Sequence, residues 1–300
     1  FTSIIRDKKG RKMSKSLGNS PDPLDLIAQY GADALRFSIM RIAPTGTDVR
    51  FIENKSKDSD SGTECPQVEE GRNFANKLWN ASRFRQMQGG PEGLSQLPHI
   101  ENLSIYDIDI LSKLDALRDD ISASYSAYKF QEIANKLYDF FWSEFCDWYL
   151  ESIKQYFRED ADSERRDTVL IVVDIVFARF LQQLHPYMPH ITEELWEKLG
   201  FAVDGALLMN AHLPEDPVMK GFDSKIVEQA KERTNAIHEA TTRARHLKAQ
   251  YNLAANRNVK FFLQPSVEWA IDELETLKIL SGAGEISVSE SYEPSPGTPA

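Results

Sequence analysis

Apolar positions recur every three or four residues through most of this chain, and that period predicts helices. Leu24, Ile27 and Ala28 keep it as far as Gly31, and a second short helix is expected with Asp33 near its start and Leu35, Phe37, Ile39 and Met40 directed inward. Within residues 68–88, Phe74, Leu78 and Ala81 share one stripe of a helix that turns about 100° per residue. Leu111, Leu114, Leu117 and Ile121 mark another helix, and Ile133, Leu137, Phe141, Phe145 and Trp148 mark the next. Residues 165–184 are so apolar that a central helix is predicted.

Pro186 and Pro189 interrupt the pattern; Thr192 is placed to cap the following helix, with Glu193 and Glu194 near its positive end. A charged amphipathic helix is then expected over residues 223–250, followed by a strand at VKFFLQP, a helix at VEWAIDELETLKILSG and a strand at EISVSE. Arg243, Arg245 and Lys248 on the long helix could meet an RNA, though they read better as solvated charge. FIENKSKDSDSGTECPQ is polar and reads as an exposed loop, and SYEPSPGTPA reads as a disordered tail. The resulting division is 1–50, a polar insertion at 51–66, a helical bundle at 67–213, a long helix with a small α/β unit at 214–290, and a tail at 291–300. The fold class is mainly α.

Composition narrows the class. With 300 residues, 41% of them apolar and 27% charged, the chain can bury a sizeable core. No apolar run approaches the roughly 18 residues of a membrane span and no signal peptide opens the chain, so a cytoplasmic protein with no membrane partner is expected. The net charge of -11 argues against general coating of nucleic acid, while leaving room for local basic patches. Cys65 and Cys146 have neither CxxC nor Cys/His spacing, so no zinc site is predicted. His185 and His190 fit turn packing better than metal binding or catalysis. FTSII reads as a strand entering from something earlier, and Phe1 rather than Met suggests a piece of a longer chain.

One basic patch stands out: in RDKKGRKMSKSLGN six of fourteen residues are Lys or Arg, with Gly10 and Gly18 to turn the backbone. Ammonium groups on flexible stems suit phosphate, and Ser14 and Ser16 can add hydrogen bonds. A solvated loop is the competing reading. KMSKSLGN followed by DPLDLIAQYGADALRFSIM resembles the corresponding segment of the class I aminoacyl-tRNA synthetases, and within them most the valyl family. That resemblance implies a loop that closes over ATP while an amino-acid carboxylate attacks the α-phosphate. Lys12 and Lys15 match its catalytic lysines, and Lys12, Met13, Ser14, Lys15 and Ser16 its ATP-binding segment. The family's HIGH motif and editing domain have no counterpart here, so the rest of that site is expected upstream. ATP and Mg2+ would belong to the full-length enzyme. The isolated chain is expected to bind neither and to be inactive, with nothing to hold Lys12 and Lys15 and the loop mobile.

VEEGRNFANKLWNASRFRQMQ extends the resemblance. Asn73, Lys77, Asn80 and Phe84 form a second stripe beside the apolar one, offering two amides for base edges, an ammonium for phosphate or a base acceptor, and a ring for stacking. In the valyl family the positions matching Lys77 and Phe84 contact the anticodon. The resemblance implies a helical-bundle anticodon-binding domain of the class Ia type, a tRNA(Val) partner, valine as the other substrate and a monomeric protein. An isoleucyl enzyme, or a non-catalytic helical RNA-binding or protein-interaction module, remain the alternatives at this point.

Overall fold

A computed structural model describes residues 3–44, 46–55, 63–90, 93–211, 216–264 and 267–289. In chain order its elements are β1 (Ile5–Arg6), α1 (Pro23–Tyr30), α2 (Ala32–Ile42), β2 (Val49–Arg50), β3 (Asn54–Lys55), β4 (Thr63–Glu64), α3 (Pro66–Met87), α4 (Ile105–Ser126) and α5 (Phe130–Asp139). A π-helical stretch, Phe140–Tyr149, then leads into α6 (Leu150–Ser152), α7 (Ser163–Leu184), α8 (Pro189–Lys198), α9 (Ser224–Gln250), β5 (Lys260–Leu263), α10 (Leu274–Ser281) and β6 (Glu285–Val288). The elements form two compact units: Phe1–Leu97 with Lys113–Ser143 and Leu170–Lys220, and Pro98–Ser112 with Glu144–Val169 and Gly221–Ala300. Residues 56–62 of the 51–66 insertion and all of the 291–300 tail lie outside the described residues; the insertion's ends pair antiparallel as β3 and β4.

In the first unit, α1 starts where Asp22 accepts the Leu24 amide at 2.9 Å and Pro23 fills the first helical position. Leu26 and Tyr30 are its buried residues, whereas Leu24 is 72% exposed, so the stripe read from the sequence faces outward. The chain turns at Gly31 (φ 92°) into α2, which packs closely on α3. That approach depends on Gly71, because a Cβ there would lie 2.5 Å from both the Ala34 carbonyl oxygen and Ser38 Oγ. Phe37 and Phe74 then stack with centroids 4.8 Å apart. Deeper along α3, Arg85 donates two 2.6 Å hydrogen bonds to Asp174, both side chains being buried.

Helix α8 corrects one expectation. Pro189 occupies its first turn, so Thr192 falls inside the helix and donates to the Met188 carbonyl at 2.8 Å instead of capping. The cap comes from far away in sequence: Asp33 accepts the Ile191 amide at 2.7 Å and faces His190 Nδ1 at 2.8 Å. His185 Nδ1 lies 2.8 Å from Thr192 Oγ1, in keeping with the turn-packing role expected of both histidines.

The aromatic run is corrected too. Ile133, Leu137, Phe141 and Phe145 are fully buried, but their four-residue steps overshoot the helical period by about 40° each. The wider i→i+5 turns of the π segment take up that overshoot. Tyr149, 3% exposed, therefore continues the buried line, while Trp148 is half-buried and stacks on His238 at 4.0 Å.

In the second unit, Ser104 and Asp107 form a reciprocal cap on α4: Asp107 accepts the Ser104 amide at 2.8 Å, and the Asp107 amide donates back to Ser104 Oγ at 3.3 Å. Asp107 also accepts from Tyr149 Oη at 2.7 Å and from Arg165. Asp223 caps α9 through the Lys225 amide, and β5 and β6 pair in parallel with α10 between them, giving the small α/β unit. Here Lys248 departs from the solvated reading, and Arg245, though exposed, is tied to the backbone. Arg245 donates to the Leu280 carbonyl at 2.9 and 2.7 Å, and Lys248, only 4% exposed, donates to the Gly282 carbonyl at 2.7 Å. Both cations cap the C-terminus of α10, whose carbonyls have no partner within the helix. Cys65 and Cys146 are buried. Burial, with the charge of Glu53, pushes the Cys65 thiol up to about 11, which keeps it unreactive.

Candidate nucleic-acid interface

The basic loop is built on a carboxylate. Asp7, 7% exposed, accepts the Lys9 amide at 3.0 Å, the Arg11 amide at 2.9 Å, Arg11 Nε at 2.8 Å and the Asn19 side-chain amide at 3.0 Å. Asn19 in turn accepts the Ser14 amide at 2.9 Å and donates to the Lys12 carbonyl at 3.3 Å. The ends of the motif are thereby tied together across twelve residues. The Asn19 hydrogen bond, with the Arg11 contacts, holds the Asp7 carboxyl well below the usual carboxylate range. Met13 packs against the cluster of Leu26, Tyr30, Phe51 and Val68, anchoring the middle of the loop. The loop backbone thus has a seat, whereas the Lys12 and Lys15 side chains are not held by it.

What the seat leaves exposed is charge. Lys12 and Lys15 are both exposed, and among the described residues neither has an ion-pair partner. Residues 15–17 make one 3-10 turn closed by the Gly18 amide on the Lys15 carbonyl, and Gly18 adopts φ 57°. Ser14 Oγ and Ser16 Oγ lie 3.2 Å apart beside that turn. Lys15 and Ser16 on the turn, with Lys12 and Ser14 just ahead of it, offer an anion two unneutralised ammonium groups and two hydroxyls.

The second feature is the outer stripe of α3. Asn73, Lys77, Asn80 and Phe84 fall within about 60° of arc; the two amides are exposed, and Lys77 and Phe84 are half-buried. The apolar stripe behind them is buried as expected, with Phe74 and Leu78 at 0% and Ala81 at 7%. Sequence reading missed what flanks the stripe. Lys77 Nζ lies 4.8 Å from the centroid of Trp142, Trp142 stacks on Tyr138 at 5.4 Å, and the Arg41 guanidinium sits 3.9 Å from the Tyr138 centroid. Arg41 is steered further by Asn135 Oδ1 at 3.1 Å and Glu70 at 3.3 Å. Each ring of the stacked pair thus carries a cation, Lys77 on Trp142 and Arg41 on Tyr138. The signal was present in the i, i+4 spacing of Tyr138 and Trp142, hidden among rings that read as core.

Two family models match the chain; one contains the basic loop, and neither contains the α3 stripe. Residues 107–263 match the family described as anticodon-binding domain of tRNA ligase, and residues 1–52 match tRNA synthetases class I (I, L, M and V). The chain belongs to the family of tRNA-ligase anticodon-binding domains. Among individual proteins it is similar to valine–tRNA ligases: 32% identical to that of Aquifex aeolicus over 92% of this chain, and 37% identical to that of Petrotoga mobilis over 85%. The Prochlorococcus marinus enzyme is 43% identical over 66% of this chain. The chain spans 23%, 27% and 22% of those relatives' own lengths. In fold it resembles the Agrobacterium radiobacter K84 agnB2 LeuRS, solved as a ternary complex with tRNA and LeuAMS, with TM-score 0.51 and 17% identity over 75% of this chain and 24% of that one. Among the described residues, no helix is long and apolar enough to cross a membrane.

Proposed function

We propose that this chain is the tRNA-reading portion of a valine–tRNA ligase, a monomeric cytoplasmic enzyme that joins valine to tRNA(Val) with ATP. The observation that carries the reading is the α3 stripe, where Asn73, Asn80, Lys77 and Phe84 stand side by side in front of a rigid core. Splayed anticodon bases need partners of these kinds: amides for their edges, a ring for a face and a cation for the backbone. Similarity to valine–tRNA ligases over most of the chain supports valine over isoleucine.

In the same proposal the basic loop serves the activation step. The exposed ammonium groups of Lys12 and Lys15 fit the phosphates of ATP, and the hydroxyls of Ser14 and Ser16 fit phosphate oxygens; this donor set suits the nucleotide and not its Mg2+. ATP supplies the leaving pyrophosphate, and Lys15 meets the charge that grows on it. The Asp7–Asn19 clasp orients the loop backbone from behind. Among the described residues no nucleotide-binding fold stands opposite these lysines, and the 300-residue chain is expected to show no valine-dependent exchange of pyrophosphate into ATP.

Filter binding of this chain to valine and isoleucine tRNA transcripts tests the reading. Tighter binding of the valine transcript is expected. Absence of binding, or equal affinity for both, would contradict it.

A further inference from the structure

A cleft of about 500 Å³ opens in the second unit where α9 meets the end of α10, and three cations line it: Arg245, Lys248 and Arg257. Two of them are set by the fold. Arg245 and Lys248 are fixed through the carbonyls of Leu280 and Gly282, which carry partial charges and leave the full positive charges unneutralised. Arg257 is exposed, and no ion pair or hydrogen bond of its side chain occurs among the described residues. Its guanidinium lies over Gly282, where a Cβ would collide with Nη1, and Gly282 itself holds φ 61°. The positive φ favours glycine there, and its bare backbone leaves room for the guanidinium beside the other two cations.

The carboxylates do not cancel this charge. Asp147 and Glu151 also line the cleft, so three cations meet two anions, and Glu151 is already paired with Lys154 at 2.6 Å. Crowding is felt by Lys248: burial first, then Arg257 and Arg245, hold its ammonium below the ordinary lysine range. On a chain of net charge -11, a polyanion is repelled by most of the surface and gains only at positive sites such as this one.

We propose that the Arg245–Lys248–Arg257 cleft is a second RNA contact, taking a backbone phosphate of the bound tRNA outside the anticodon. It rests on the tRNA-binding reading above and adds a site that the α3 stripe does not include. Arg245 and Lys248 supply fixed charge, and Arg257, unpartnered, closes on a phosphate oxygen. Because a phosphate carries no sequence information, this contact contributes equally whatever the anticodon.

Arg257→Ala changes an exposed side chain and leaves both α10 caps in place, which makes it the test. With the 300-residue chain and a valine tRNA transcript, the plot of log affinity against log salt should become shallower by about 0.9, so that from about 50 to about 200 mM salt the variant loses about 3.5-fold less affinity than the parent. The change should be the same for a transcript with a scrambled anticodon. An unaltered salt slope for Arg257→Ala, while Phe84→Ala still weakens binding in an anticodon-dependent way, would overturn the cleft and leave the anticodon reading standing. Loss of anticodon dependence in the parent would instead strike the anticodon reading, and the Arg257 slope change would still support the cleft. Inorganic phosphate that protects Arg257 alone, with tRNA affinity indifferent to Arg257→Ala, would assign the cleft to free phosphate and also overturn the proposal.

Discussion

The carboxylate of Asp7 accepts the side-chain amide of Asn19 at 3.0 Å, closing a loop whose charged tip bears Lys12 and Lys15. Asp7→Ala removes the acceptor for two backbone amides and two side chains at once. Amide hydrogen exchange at Lys9, Arg11 and Ser14 should accelerate, while exchange in α3 should not change. Uniform exchange rates in parent and variant would show that the clasp does not order the loop.

The same carboxyl sets a pH signature. Its folded-state pKa is depressed, so its contribution to loop order is present above the unfolded value of about 3.9 and is lost as the pH falls below that toward the depressed folded value. An NMR titration should find the Asp7 carboxyl still ionised where exposed carboxylates have half titrated. A midpoint in the ordinary carboxylate range would contradict the hydrogen-bond network.

Gly71→Ala tests the α2–α3 contact. The new Cβ must displace the Ala34 carbonyl or part the helices, and overpacking of this kind costs about 1–3 kcal/mol. Thermal denaturation should show a clearly lowered Tm. An unchanged Tm would mean that the helices have room which the geometry denies.

Buried Arg85 and Asp174 give a sharper energetic test. Either Arg85→Met or Asp174→Leu strands a buried charge and should destabilise by about 3–5 kcal/mol, whereas the double variant should lose less than either single change. Additive losses in urea melts would show that the pair is not coupled.

The limits of the sequence follow from these residues. Phe74, Leu78 and Ala81 could be read because a regular helix repeats its faces, and the neighbouring stripe came with them. Tyr149 could not, because the π turns change the period itself. Thr192 looked like a cap until Pro189 took the first turn and Asp33, remote in sequence, supplied the carboxylate. Arg245 and Lys248 looked solvated because nothing local reveals that α10 ends against them. Local periodicity is written in neighbouring residues; charge partners brought together by folding are not.

On the proposed reading the loop lysines act in the activation step of a full-length valine–tRNA ligase. There Lys15→Ala should slow formation of valyl-adenylate by a factor on the order of 10² and change ATP affinity much less, since the charge it meets develops at the transition state. Pre-steady-state measurement at saturating ATP separates the two effects. Adenylate formed at the normal rate would leave the turn at residues 15–17 a structural feature only.

The stripe on α3 is the centre of the account, and its most direct test is the anticodon dependence of Phe84→Ala. Affinities of the parent chain and the variant are compared for a valine tRNA transcript and for the same transcript with a scrambled anticodon. The account predicts a loss of about 1–3 kcal/mol on the native anticodon, the contribution of one base stack, and little loss on the scrambled one. Equal losses on both transcripts would mean that Phe84 supports α3 and reads no base.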